Sequence, residues 1–374
     1  MSGDHDGEEL PDGTPIRELP KVSLHDHLDG GLRPATVLEL AEAAGVETPE
    51  DEPTRLAAWF AASADSGSLP DYLRGFEITV AVLQSADALH RAAREYALDL
   101  ARDGVVYGEV RWAPEQHLRR GLDADEAVEA VRAGLQDGVA EARAAGRPLR
   151  VAQILSAMRQ DDQALATARL ALRHRDRGVV GFDIAGPEDG FPPSRHRAAF
   201  DLLAESWFPV TVHAGEAAGL DSIAGALLDA RARRLGHGVR IAEDVETEGE
   251  DERGTLVSLG RLAQWVKDRG VPLEISPSSN LQTGAIAARG DTIADHPFDL
   301  LYQLGFEVTV NTDNRLMSAT TLSRELALLA EAFDYGAEDL RVFQLNAANA
   351  AFLPVEDRER LADLIEDGFD GVAA

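Results

Sequence analysis

Eight short apolar runs, each separated from the next by a helix-patterned segment, constrain this chain more than any other feature. They fall at 22–28, 104–112, 149–156, 178–186, 209–213, 234–237, 272–276 and 306–312. Continuously apolar strands alternating with helices belong to a parallel sheet covered on both faces, and eight such units close most simply into a (β/α)8 TIM barrel, an α/β fold. An open doubly wound sheet is the alternative. It is disfavoured because no Gly-rich dinucleotide or phosphate loop follows the first run. Extra helices are expected after strand one, where Ser66-Gly67-Ser68-Leu69-Pro70 splits 56–83 into a pair of short helices, and at the C-terminus over 321–333, 338–349 and 355–366. Residues 14–374 therefore read as one barrel domain. Residues 1–13, acidic and Gly-rich, read as a disordered start.

Chemistry in such a barrel collects at the carboxyl ends of the strands. The first run ends in Ser23-Leu24-His25-Asp26-His27-Leu28-Asp29-Gly30, and because strand side chains alternate faces, His25 and His27 project from one side. Polar residues close the later runs too: Glu109 and Arg111, Asp183 and Gly186, His213 and Glu216, His237, the serines 276, 278 and 279, and Asn311 to Asn314. Three imidazoles and a carboxylate can surround one zinc and leave a position for water, so His25, His27, His213 and Asp313 are the expected ligands. His237 stands close enough to take the water's proton or to hold the resulting hydroxide. Glu216, three residues beyond His213, faces a substrate as a general acid if burial keeps it protonated.

Composition narrows the partners. The net charge of −30 repels phosphate backbones and anionic lipid headgroups, which excludes a nucleic-acid polymer and a membrane surface. No run reaches the roughly 18 apolar residues of a membrane span. There is no cysteine, so any zinc rests on histidine and carboxylate, and a cytoplasmic setting is expected. Lysine occurs only at Lys21 and Lys267. Neither closes a middle strand, where two-metal hydrolases with an HxH strand carry a bridging carboxylated lysine.

The runs SLHDHLDG, FDIAGPE, TVHAGE, GHG and VNTDN, in this order and over nearly the whole chain, resemble the adenosine deaminase family of zinc-dependent amidohydrolases. The resemblance implies a (β/α)8 barrel with one zinc per chain on His25, His27, His213 and Asp313. It implies that Glu216 protonates the purine at N1, that His237 orients and deprotonates the water, that the Gly186 backbone donates to N3, and that Asp29 bonds the ribose. The implied reaction is attack of zinc-bound hydroxide on C6 of adenosine or 2'-deoxyadenosine, which expels ammonia and leaves the inosine product, a step of purine salvage. One position departs from the pattern: Asn314 follows Asp313 where many members carry a second aspartate. Because N7 only accepts hydrogen bonds, an asparagine amide can serve it directly. A deaminase of adenine or another aminopurine is the alternative activity. A non-catalytic nucleoside-binding protein is the alternative class, although such a protein could dispense with Glu216, His237 or Asp313, and all three are present.

The remaining polar residues carry plainer expectations. Glu109 and Arg111 are expected to pair with each other, and Asp183 to orient a ligand histidine. His117, His174 and His196 are read as surface residues, and His296, before Pro297, as a helix-start residue. The acidic stretch 243–253 is read as a solvated loop. Trp59, Phe60, Leu69, Tyr72, Leu73 and Phe76 either pack on the barrel or roof a pocket for a flat ring.

Overall fold

A computed structural model of the chain describes residues 8–251 and 254–373. Ten strands are present among them: β1 (Lys21–His27), β2 (Val105–Trp112), β3 (Arg150–Met158), β4 (Val179–Ala185), β5 (Thr211–Ala214), β6 (Arg234–His237), β7 (Val245–Asp251), β8 (Gly254–Leu259), β9 (Leu273–Ile275) and β10 (Val308–Val310). Eight pair in parallel, as two sheets ordered β1-β2-β3-β4 and β5-β6-β9-β10. Single parallel bridges, Phe182 to Val210 and Asp26 to Asp313, join the two halves into a ring. The second seam is reinforced by the Asn311 side chain, whose Oδ1 accepts the backbone N–H groups of Leu24 and His25 at 3.0 Å each.

Helices follow the strands as the periodicity predicts, among them Ala86–Arg102, Ala124–Ala144 and Leu220–Leu228. Their apolar sides pack on the outside of the ring in one continuous core. Helices Ala86–Arg102 and Ala124–Ala144 approach so closely that a Cβ at Gly134 would lie 2.1 Å from the carbonyl oxygen of His90. Leu322–Phe333, Ala337–Ala350 and Val355–Ala373 are the expected C-terminal helices. Among the described residues no helix is long and apolar enough to cross a membrane.

Several details differ from the sequence reading. Part of the acidic start, residues 1–7, lies outside the described residues; Leu10 is buried, and Glu9 bridges Pro15. The acidic stretch after β6 is no loop: β7 and β8 form an antiparallel hairpin, and the next helix begins only at Arg261. After β1 and the helix Pro34–Ala44, the stretch expected to hold a pair of short helices holds three, Pro53–Ala64, Leu69–Tyr72 and Phe76–Val82. Leu69, Tyr72, Leu73 and Phe76 line a cavity at the mouth of the ring, so they roof a pocket, while Phe60 is packed away in the core.

Replacing Gly134 by alanine should destabilise the fold by about 1–3 kcal/mol. The clash with a backbone carbonyl outweighs the gain of about 1 kcal/mol in helix propensity. A thermal unfolding midpoint at or above the parent value would contradict this.

Candidate active site

The floor of the barrel is ionic. Glu109, Arg111, Arg234 and Glu274 point inward from β2, β6 and β9, and all are buried. Glu274 accepts four hydrogen bonds: from Arg111 Nη2 and Arg234 Nε at 2.6 Å each, and from Thr211 Oγ1 and His25 Nδ1 at 3.0 Å each. Glu109 bonds Arg234 at 2.6 Å rather than Arg111, because the ring brings β6 across from β2; the expected Glu109–Arg111 pair is therefore replaced by two cross-barrel pairs. Burial opposes the charge of Glu274, yet Arg111, Arg234 and His25 hold its carboxyl well below the usual range.

Above this floor His25, His27, His213 and Asp313 converge. His27 Nε2 lies 3.2 Å from His213 Nε2 and 3.3 Å from Asp313 Oδ1, and His25 Nε2 lies 3.2 Å from the same oxygen. Donors about 2.0–2.2 Å from one zinc stand roughly 3.3–3.5 Å apart in a tetrahedron, so these separations match a metal site. The buried Nε2 of His25 has no hydrogen-bond partner. Its Nδ1 donates to Glu274, and His213 Nδ1 donates to Asp183 at 3.0 Å, so each ring turns an unprotonated Nε2 toward the common point. Asp183 thus orients a histidine as expected. Its carboxyl is held down to about 2, the pull of His213 and Arg111 overcoming burial. Ser279 Oγ donates to Asp313 Oδ2 at 2.7 Å and leaves Oδ1 to face the imidazoles. Burial first, helped by the positive neighbours His213, His25 and Arg111 against the opposing charge of Asp313, keeps His27 well below its ordinary pKa and so neutral.

A fifth group meets the same point: ligand atoms of His25, His213, His237 and Asp313 all lie within 4.8 Å of one another. The hydrogen bonds of His237 set it apart. The backbone N–H of Phe298 can only donate, and it donates to His296 Nδ1 at 3.1 Å. His296 therefore carries its proton on Nε2 and donates to Asn280 Oδ1 at 3.3 Å, and the Asn280 amide donates to His237 Nδ1 at 2.9 Å. Neutral His237 thus keeps its proton on Nε2, which lies 3.5 Å from Glu216 Oε2. The ring presents a donor where His25 and His213 present lone pairs. His237 and Asp313 both sit in left-handed backbone conformations, φ 62° and 57°, which carry their side chains over the strand ends.

These groups open into a cavity of about 370 Å³ lined by His27, Asp29, Gly186, His213, Glu216, His237, Asp313 and Asn314, so nearly every expected site residue reaches it; His25 lies just beneath. Glu216 is buried, and burial, then Asp313 and Glu188, raise its carboxyl well above the ordinary value. Burial and then Asp313 push Asp29 up to about 6. Asn314 rests on Gly30, where a Cβ would lie 2.0 Å from its Oδ1, so only glycine fits beneath it. The roof adds Tyr72, whose buried hydroxyl has no hydrogen-bond partner.

Three histidines expected at the surface are buried instead, because each meets an acceptor inside. His117 bonds Leu83 O at 3.0 Å, His174 lies between Asp125 and Glu129, and His196 bonds Arg159 O at 2.9 Å. Arg159 in turn donates to His213 O at 2.9 Å. Glu274, Asn280 and Arg159 had no expected role. Their only trace in the sequence is a polar residue within or just beyond an apolar run.

Comparisons with known proteins agree with this geometry. Residues 20–368 match the family described as adenosine deaminase. The chain is 52% identical to the adenosine deaminase of Mycobacteroides abscessus over 95% of this chain and 96% of that one. It is 52% identical to adenosine deaminase 1 of Streptomyces coelicolor over 96% and 89%. Among solved structures, Arabidopsis ADAL complexed with IMP superposes with a TM-score of 0.78 at 26% identity, covering 95% of this chain and 98% of that one.

Glu274→Gln removes the charge that His25, Arg111 and Arg234 share. It should weaken metal retention about 10–100-fold and cost about 3–5 kcal/mol of stability. Metal content after graded chelation, read beside thermal unfolding, checks both. Unchanged retention would contradict the role given to Glu274.

Proposed function

The chain belongs to the adenosine deaminase family, and on that premise we propose that it hydrolyses the C6 amine of adenosine and 2'-deoxyadenosine, releasing ammonia and the inosine product. One observation carries the reading: a buried carboxyl raised toward its protonated form stands 3.5 Å from a histidine donor, beside three imidazoles and a carboxylate converging on one point.

We assign His25, His27, His213 and Asp313 as ligands of one zinc. His237 is left out because its Nε2 carries the proton and its Nδ1 is engaged by Asn280. Bound zinc would supply acidity, bringing a water toward ionisation near neutral pH. The protein's own groups do the rest. Protonated Glu216 donates to purine N1, which draws electron density from C6 and makes that carbon electrophilic. His237 holds the attacking oxygen through its Nε2–H, so of the two roles expected for it, holding is favoured over taking the proton. The Asn314 amide serves N7, the Gly186 backbone N–H serves N3, and Asp29 accepts from a ribose hydroxyl. Attack breaks the conjugation of the ring, so acceleration comes from groups that bind the tetrahedral centre better than the flat base. The proposed partner is a small purine nucleoside, in keeping with the purine ligand of the Arabidopsis neighbour, and the proposed setting is the cytoplasm, from the cysteine-free composition.

Ammonia release should be strongest with adenosine and deoxyadenosine in a panel that includes adenine and other aminopurines, with zinc measured on the same sample. Release from adenine alone would overturn the nucleoside reading. Glu216→Gln should keep its zinc and lose at least ~10²-fold in turnover. Because the active Glu216 is the protonated one and its pKa is raised, kcat/KM should hold through the acid side of its pKa and fall as pH rises through it. A profile that climbs there instead would contradict the assignment.

A further inference from the structure

Glu188 has no part in the chemistry above, yet its carboxylate is one of the most heavily bonded in the protein. It sits two residues after Gly186, on the turn that follows β4, and is buried. Across the cavity wall it meets the turn that follows β5. Oε1 accepts the backbone N–H of Gly215 at 2.7 Å, and Oε2 accepts those of Glu216, Ala217 and Ala218 at 3.1, 2.6 and 2.9 Å. Four successive amides turned inward form a nest for an anion. The turn reaches this shape through Gly215, at φ +75°, where a Cβ would also strike Ile223 at 2.6 Å. A side chain of the protein itself fills the nest.

The position of this clamp matters more than its strength. Strands β4 and β5 meet at one of the two seams of the ring, joined by the single Phe182 to Val210 bridge. Beyond the strand ends the two turns diverge, one carrying Gly186 and the other Glu216, and both residues line the cavity. Glu188 ties one turn to the other beside the cavity that Gly186 and Glu216 line. Its negative charge also stands among the causes, after burial and Asp313, that hold the Glu216 carboxyl up.

We propose that Glu188 is a positioning residue that locks the Gly186 backbone N–H and the Glu216 carboxyl in one rigid unit, so that N3 and N1 of a purine are read together. The proposal rests on the deaminase reading above. N1 and N3 flank the same carbon of a flat ring, so both contacts form only if their protein partners keep a fixed spacing. A shift of either turn by a fraction of an ångström forfeits one contact to make the other. An amide at position 188 keeps the volume but turns one oxygen into a donor facing backbone donors. It therefore loosens the turn rather than emptying it.

The test uses the metal-loaded full chain as wild type, Glu188→Gln and Glu188→Asp. Three quantities are read: metal content with thermal unfolding, kcat and KM for adenosine, and competitive inhibition by purine riboside against 3-deazapurine riboside, which lacks the N3 acceptor. Wild type should prefer the N3-bearing analogue roughly tenfold, the scale of one good hydrogen bond. Glu188→Gln should retain its metal, lose on the order of 10²-fold in kcat with a smaller change in KM, and bind the two analogues nearly equally. Glu188→Asp, which keeps the charge, should recover part of both and supplies the comparison if the glutamine variant does not fold. A purely structural role would lower the unfolding midpoint and leave the analogue preference intact. That outcome overturns the proposal, as does a wild type indifferent to N3. A wild type that deaminates no aminopurine overturns the function instead, and the analogue preference then still decides the role of Glu188.

Discussion

One buried carboxylate, Glu274, holds the structure's chemistry together. It is fully enclosed, and it accepts from two arginines, a threonine and a histidine that come from four different strands of the ring. An isolated charge at that depth would be expensive to bury. With Arg111 and Arg234 beside it, the cost is met by charge-assisted bonds, and losing any one partner leaves the others uncompensated. The site above inherits this rigidity. Glu274 fixes the ring of His25, Arg111 reaches toward Asp183 at 3.6 Å, and Asp183 fixes the ring of His213. The Arg234 guanidinium stacks 3.6 Å from the Phe352 ring centre, which ties this floor to the C-terminal helices.

The same logic separates histidines that look alike. A carboxylate on Nδ1 leaves Nε2 as a lone pair, which suits His25 and His213 to a cation. An amide donor on Nδ1 leaves Nε2 protonated, which suits His237 to holding an oxygen. The difference originates at the backbone N–H of Phe298 and passes through His296 and Asn280. In the proposed reaction three neighbouring imidazoles, His25, His213 and His237, thus take two roles without any change of residue type.

Much of this was legible in the chain itself. The alternation of apolar runs with helices leads to the barrel, and the rule that chemistry gathers at strand ends leads to His27, His213, Glu216, His237 and Asp313, which line one cavity, and to His25 just beneath it. The partners that tune them were not legible, for identifiable reasons. Glu274 stands within a three-residue strand whose neighbours are apolar, and its inward direction depends on a ring closure that no local pattern encodes. Glu109 and Arg111 alternate correctly to face inward, but their pairing across the barrel depends on where β6 and β9 fall. His174 and His196 carry no periodic signal of burial, because their acceptors, Asp125 and Glu129 for the first and Arg159 O for the second, lie on distant segments. In the β7–β8 hairpin the density of acidic residues conceals a strand pattern anchored by Val245 and Leu259 at its base.

The central claim is that hydrogen bonds behind His25, His213 and His237 select the first two, and not the third, to bind the cation. Anomalous diffraction at the zinc edge, from crystals of the chain grown with zinc, tests it most directly. The account predicts one peak per chain, about 2.0–2.2 Å from Nε2 of His25, His27 and His213 and from Asp313 Oδ1, with His237 outside bonding distance. A peak bonded to His237 in place of His27, or two equally occupied peaks in the cavity, would contradict it.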